Sequence, residues 1–257
     1  MKIQILSDLH LEFLSPSQID RIVASIDQVG DVLVLAGDIG NGMASHYQKF
    51  INQIATKFTK VFVVAGNHEY YGNDIETTNQ KIQSVCDCLE NVSFLCSTWE
   101  DYGGVRWIGT TLWSYVHETT KCFTNDIRYI QNMPISKYNE RHHQAVQFLT
   151  NALKTFNDKQ CVVITHYIPS MKLIHEKYRS KEDEPYNQWF ASSLDNLIET
   201  HTNHLPLWIY GHTHYPSHKR LFDTDMVCNP IGYEGENKDP NWNFVWNESS
   251  VVSIPVS

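Results

Sequence analysis

Residues 61–69 read Val-Phe-Val-Val-Ala-Gly-Asn-His-Glu: five apolar residues, then an abrupt polar run that begins at a glycine. An uninterrupted apolar run of strand length is expected where a strand is buried on both faces, as in a parallel sheet covered by helices. Gly66 has no Cβ and permits a sharp turn, so Asn67, His68 and Glu69 are delivered at the carboxyl end of that strand. The same construction recurs four times. Residues 3–6 run into Ser7-Asp8-Leu9-His10, residues 32–36 into Gly37-Asp38, residues 161–165 into His166, and residues 207–210 into Gly211-His212-Thr213-His214. In an open α/β sheet the carboxyl ends of neighbouring strands face one crevice, so these five polar segments are expected to converge.

Between the strands the period changes from two to 3.6. Ile19, Ile22, Val23, Ile26 and Val29 follow helical spacing, as do Tyr47, Phe50, Ile51, Ile54 and Phe58. Strand alternating with amphipathic helix is the signature of βαβ units. The second half predicts helices near residues 136–156 and 188–201, and shorter strands at 106–111, 219–222, 226–228 and 251–254 suited to antiparallel pairing. The expected fold is α/β, with two mixed sheets flanked by helices. At 257 residues, without an internal repeat or a low-complexity linker, the chain is read as one domain over residues 1–257.

Composition narrows the function classes. The chain is 42% hydrophobic and carries a formal net charge of -9, which disfavours a protein that tracks a long nucleic-acid backbone. No stretch approaches a membrane span. The six cysteines (Cys86, Cys88, Cys96, Cys122, Cys161, Cys228) are irregularly spaced and lack a paired C-x-x-C, so reduced thiols and a cytoplasmic location are expected. Cys86-Asp87-Cys88 falls in helical sequence, where residues two apart face different ways, and reads as structural.

The polar segments together offer seven candidate metal ligands, Asp38 among them. Carboxylate oxygen with imidazole nitrogen suits first-row divalent cations, and no thiolate is among them. Seven donors exceed the four of one tetrahedral site, and Asp38 has two oxygens with which to bridge a pair of ions. Any one Asp-x-His or His-x-His is weak; five segments in order, each at a strand end, are specific.

In these motifs the sequence resembles the calcineurin-like metallophosphoesterases, whose ordered pattern is D-x-H, GD, GNH[D/E], H, GHxH. Every element is present, from Asp8 to His214. The resemblance implies a four-layer α/β/β/α sandwich and two divalent ions (Mn, Fe, Zn or Ni, with Mn favoured). Asp8, His10, Asp38 and His214 would hold one ion, and Asp38, Asn67, His166 and His212 the other. His68 would not ligate metal but would stabilise the transition state or protonate the leaving oxygen. Asn41 stands where purple acid phosphatases carry a Tyr ligand, and Ala65 where protein-phosphatase subunits carry an Arg, so neither branch fits.

The expected reaction is hydrolysis of a phosphodiester or phosphomonoester of a small, nucleotide-like substrate by in-line attack of a hydroxide bridging two metals. Catalytic roles fall to His68, Asp38 and Asn67, with Asn67 and His68 also meeting the substrate and Asn67 donating a hydrogen bond to a phosphoryl oxygen. A nuclease of the same superfamily and a catalytically silent scaffold are the alternatives. Substrate choice is assigned to residues 97–133, 175–186 and 232–246. Trp99, Trp107, Trp113, Tyr115, Tyr129, Tyr233 and Trp242 are read mainly as core and loop anchors, with room among them for a nucleobase platform. Asp126 and Arg128 are read as a surface ion pair, residues 176–185 as a solvated loop, and His142-His143 as helix residues without a ligand role.

Overall fold

The computed structural model describes residues 1–117, 120, 124–233, 235–236 and 250–254. Cys122 and Trp242 lie outside them. The first half lays down four parallel strands, β1 (Lys2–Leu6), β2 (Val32–Ala36), β3 (Lys60–Val64) and β4 (Val92–Phe94). Helices α1 (Pro16–Ser25), α2 (Ser45–Ala55) and α3 (Ile75–Asp87) connect them. Strand β11 (Val251–Ser253) returns from the far end of the chain to pair antiparallel with β1, giving the order β11-β1-β2-β3-β4.

The second sheet holds β5 (Thr98–Tyr102), β6 (Val105–Thr110), β7 (Cys161–Thr165), β8 (Leu207–Ile209), β9 (Ser217–Leu221) and β10 (Thr224–Cys228), ordered β5-β6-β7-β8-β10-β9. Its four central strands are parallel, and β5 and β9 are antiparallel edges. Helices α4 (Asn125–Tyr129), α5 (Ile135–Thr155), α6 (Glu184–Asn187) and α7 (Asp195–His201) lie between these strands in sequence.

Side-chain alternation explains the layering. Val32, Val34, Phe62 and Val64 meet Trp107, Val162, Ile164 and Ile209 in a core between the sheets. The alternate residues Leu33, Leu35, Val61 and Val63 join a second cluster with Ile19, Val23, Phe50 and Ile54 of the helices. Strands buried on both faces must be apolar at every position, which is why they are legible as continuous runs.

Two expectations need correction. Residues 188–194 are not helical; only Asp195–His201 is. The Ile168 amide donates to the Phe190 carbonyl (3.2 Å) and the Ser192 amide to the Ile168 carbonyl (2.8 Å), so this segment is drawn out along residues 168–170. Asp126, read as half of a surface pair, is buried. Among the described residues no helix is long and apolar enough to cross a membrane, and Cys86, Cys88, Cys96, Cys161 and Cys228 are free thiols.

Candidate metal centre

The carboxyl ends of β1, β2, β3, β7 and β8 meet along one edge of the two-sheet core, and each releases its polar segment there. The turns are tight enough to leave Asp8, His10, Asp38, His212 and His214 with left-handed backbone, φ between 47° and 68°. A non-glycine residue in that region costs roughly 1–3 kcal/mol, and such residues gather at functional sites. Interlocking hydrogen bonds hold the turns. The Asp8 and His10 amides donate to the Gly37 and Asp38 carbonyls (both 3.0 Å), and the buried Glu69 carboxylate accepts from the amides of Asp38, Ile39 and Gly66 (3.0, 2.8 and 2.7 Å). Burial, then the nearby Asp38 carboxylate, push the Glu69 pKa up to about 8. Gly37 is required by contact as well as by φ of 88°: a Cβ there would lie 2.5 Å from His166 Nδ1.

Asp8, His10 and His214 present donor atoms to one another, and so do Asp38, His166 and His212. His10 Nε2 lies 2.9 Å from His214 Nε2, and His166 Nε2 lies 3.2 Å from His212 Nδ1 and 3.1 Å from Asn67 Oδ1. Asp38 Oδ2 sits between the groups, 3.3 Å from His166 Nε2 and 4.0 Å from His10 Nε2. All seven candidate ligands are thus brought together. At these distances one imidazole can donate to the other, and the same nitrogens lie close enough together to share a cation.

The outer nitrogens support this reading. His166 Nδ1 donates to the Ala36 carbonyl (3.0 Å), so in the neutral ring the lone pair is on Nε2, and His214 Nδ1 lies 2.8 Å from Glu236 Oε2. Anchoring the far nitrogen in this way is what metal-binding histidines ordinarily require. Burial disfavours charge on Asp38, but His166, His68 and His10 outweigh it and hold its carboxyl well below the usual range. Burial also opposes charge on His166, and Asp38 beside it lifts the imidazole to about 10; burial and His166 together push His212 well down. Neighbouring histidines are thus driven in opposite directions.

His68 stands apart from the seven. Its Nδ1 lies 2.7 Å from Glu12 Oε1 and its Nε2 3.1 Å from Tyr233 Oη, so both ring nitrogens have protein partners. Geometry alone would let His68 join a group with His10 and Asp38, but at 4.0 Å from Asp38 Oδ2 and engaged on both sides it is placed beside the cluster. Burial lowers its pKa, and Asp38 and Glu12 more than reverse that, so the imidazole is raised.

Asn67 corrects one expectation. Its Nδ2 donates to Asp126 Oδ1 and to Tyr71 Oη, both at 2.9 Å, so its two amide hydrogens are engaged within the protein and Oδ1 is what it offers the cluster. Donation to a phosphoryl oxygen does not fit this arrangement. Asn41 holds the loop, donating to the Tyr71 carbonyl at 2.7 Å. His142 is buried against Tyr115 and is not part of the cluster.

A cavity of about 600 Å³ opens on the cluster, within the range of small-molecule sites. Asp38, Asn67, His68, His212 and His214 line it, with Tyr178, Tyr186, Phe190 and Tyr233 as exposed aromatic faces. Of the aromatic residues singled out from sequence, Tyr233 alone among those described reaches it; Trp107 and Trp113 are core, and Trp99, Tyr115 and Tyr129 lie elsewhere on the surface. Residues 176–185 contribute Lys177, Tyr178 and Asp183 to its rim. Sequence reading missed Glu12, Tyr71, Asp126, Tyr167 and Glu236. Glu12, two residues beyond His10, carried a local signal; Asp126, Tyr167 and Glu236 act on partners 22 to 59 residues away.

Residues 1–216 match the calcineurin-like phosphoesterases, and the chain belongs to that family. It is 28% identical over 265 residues to an uncharacterized protein, L509, of Acanthamoeba polyphaga mimivirus, covering 91% of this chain and 92% of that one. Among solved structures, a phosphopantetheinyl hydrolase of Mycobacterium tuberculosis aligns with TM-score 0.72 at 16% identity, over 93% of this chain and 92% of that chain. Protein TT1561 of Thermus thermophilus aligns with TM-score 0.58 at 15% identity, over 89% of this chain and 88% of that chain. At these identities the likeness is one of fold.

Proposed function

We propose that this calcineurin-like phosphoesterase hydrolyses a phosphodiester or phosphomonoester of a small, nucleotide-like substrate at a pair of divalent ions. Asp8, His10, Asp38 and His214 would hold one ion and Asp38, Asn67, His166 and His212 the other, with Mn favoured. The observation that carries this reading is the pairing of nitrogen against nitrogen, at 2.9 and 3.2 Å, on either side of the Asp38 carboxylate. Such ions supply Lewis-acid neutralisation of the phosphoryl oxygens and a water of lowered pKa. The protein's own part is positioning. Asp38 fixes the spacing of the two halves, and its Oδ1 is itself held by the His68 amide at 2.8 Å. His68, oriented by Glu12 and reached by Tyr233, stands where it can hand a proton to a leaving oxygen.

The aromatic wall supports a substrate whose organic part is flat or apolar, and the formal charge of -9 argues against a long polyanion. Two structural neighbours carry the names phosphopantetheinyl hydrolase and putative 5′-nucleotidase, both consistent with a small ester. The same reading takes residues 1–257 as one domain, since residues from both halves share one apolar cluster. The test is hydrolysis of bis(p-nitrophenyl) phosphate beside p-nitrophenyl phosphate, by metal-stripped protein with Mn²⁺ restored and Asp38→Asn as control. Metal-dependent turnover lost in the variant is expected, and the ratio of rates separates diester from monoester preference. No turnover of either ester by protein that binds two ions would favour the silent scaffold instead.

A further inference from the structure

Asp126 lies on α4, outside every motif that marks the cluster, yet it is 2% exposed and three side chains donate to it. Its Oδ1 accepts from Asn67 Nδ2 (2.9 Å) and Tyr71 Oη (2.8 Å), and its Oδ2 accepts from Tyr167 Oη (2.8 Å). Each donor touches a different part of the candidate centre. Asn67 brings Oδ1 to His166; the Tyr71 ring lies 4.2 Å from that of His68; the Tyr167 ring lies 4.2 Å from that of His212.

We infer that Asp126 is the positioning residue that makes Asn67 an oxygen ligand, and that it braces His68 and His212 through the two tyrosines. A primary amide is nearly symmetric in shape, so sterics alone do not decide whether oxygen or NH₂ faces a cation. A buried carboxylate that accepts the amide hydrogen decides it, because such hydrogen bonds are about twice as strong as neutral ones and a flipped amide would set oxygen against oxygen. Tyr71 closes the arrangement: its hydroxyl donates to Asp126 and takes the second Asn67 hydrogen, which leaves no amide hydrogen for the cluster. The inference rests on the two-ion reading.

Replacing Asp126 with Asn leaves three donors facing one acceptor oxygen and an NH₂ group, so the amide of Asn67 loses its orientation while the shape of the site is kept. The experiment is a calorimetric Mn²⁺ titration of metal-stripped wild type, Asp126→Asn, and the swap Asn67→Asp with Asp126→Asn, alongside the melting temperature of each in chelator. The single variant is expected to bind one of the two ions ~10–100-fold more weakly, the usual effect of losing an outer partner of a metal ligand, with the other ion unchanged. The swap restores a donor facing an acceptor, with a carboxylate at position 67, and is expected to recover the lost ion. Two ions bound as in wild type by Asp126→Asn, both ions weakened in step with the melting temperature, or a swap that recovers nothing would each overturn the inference. Should Asp126→Asn fail to fold, Tyr71→Phe takes its place, with the same one-ion loss expected at smaller size and unchanged binding overturning it. Wild type that takes up fewer than two ions overturns the two-ion reading first, so the two failures are distinguishable.

Discussion

The two ends of the second sheet solve opposite problems. Where β6 and β7 begin, Arg106 forms a two-pronged ion pair with Asp101 (2.7 Å for each bond), reaches Asp158 at 3.3 Å, and packs its guanidinium against Phe156 and Trp99. Lys159 adds a further bond to Asp101 at 2.8 Å. Each of these charges has an opposite neighbour within the chain. At the carboxyl ends of β7 and β8, nitrogen faces nitrogen and the backbone is left-handed at His212 and His214. The first end is complete in itself and contributes to stability. The second holds left-handed backbone and close-set donor atoms in an arrangement that could hold a cation.

The contrast can be broken most directly at Asp38. Asp38→Asn should lower kcat/KM for a p-nitrophenyl ester on the order of 10³-fold or more, since it removes the central ligand. The ionised Asp38 carboxylate is held by His166, His68 and His10, so the melting temperature in chelator should fall modestly; a fall large enough to account for the lost activity by unfolding would refute the contrast. Gly37→Ala should act next most strongly. The new Cβ meets His166 and the backbone is already at φ 88°, so about 10²-fold in activity and roughly 1–3 kcal/mol in urea-measured stability should be lost together.

At the other end, Arg106→Ala should leave turnover within about twofold while costing roughly 1–2 kcal/mol, from lost ring contacts as much as lost charge. The smallest effect belongs to Asp101. Hydrogen bonding to Arg106 holds its carboxyl down at about 2, below the ordinary value of 3.8. The folded state therefore binds its proton less readily than the unfolded one, so the contribution is complete above about pH 4 and lost as pH falls through 2. Because the carboxylate is about a third exposed, Asp101→Asn should cost under ~1 kcal/mol at neutral pH, and its urea midpoint should approach that of wild type between pH 4 and 2.

What was readable from sequence tracks how local the cause is. Strands β1, β2, β3, β7 and β8 are written as apolar runs because both faces are covered, and their polar ends carry the family's motif letters. Strand β5, Thr-Trp-Glu-Asp-Tyr, is a largely exposed edge without such a run, and β4 is three residues long, so neither announces itself. Residues 188–194 have helical spacing, but backbone bonds to residues 168–170 override it. Asp126 looked like a surface partner of Arg128 because the nearest opposite charge in sequence is the obvious one; its actual partners are 41 to 59 residues away. The convergence of the candidate ligands was legible; the shell around them was not, since nothing in the periodicity of a chain says which distant tyrosine will face which carboxylate.

Strand β11 closes the first sheet against β1, and the Met1 amino group donates to the Ile254 carbonyl at 3.0 Å. During synthesis this makes β1 (Lys2–Leu6) wait for β11 (Val251–Ser253). At ~5–20 residues per second, a ribosome needs roughly 12–50 seconds to travel from one to the other. Throughout that interval the apolar edge of β1 has no neighbour on that side, and an unpaired edge is a template for strangers. Slowing translation should therefore raise the fraction that aggregates before β11 is made.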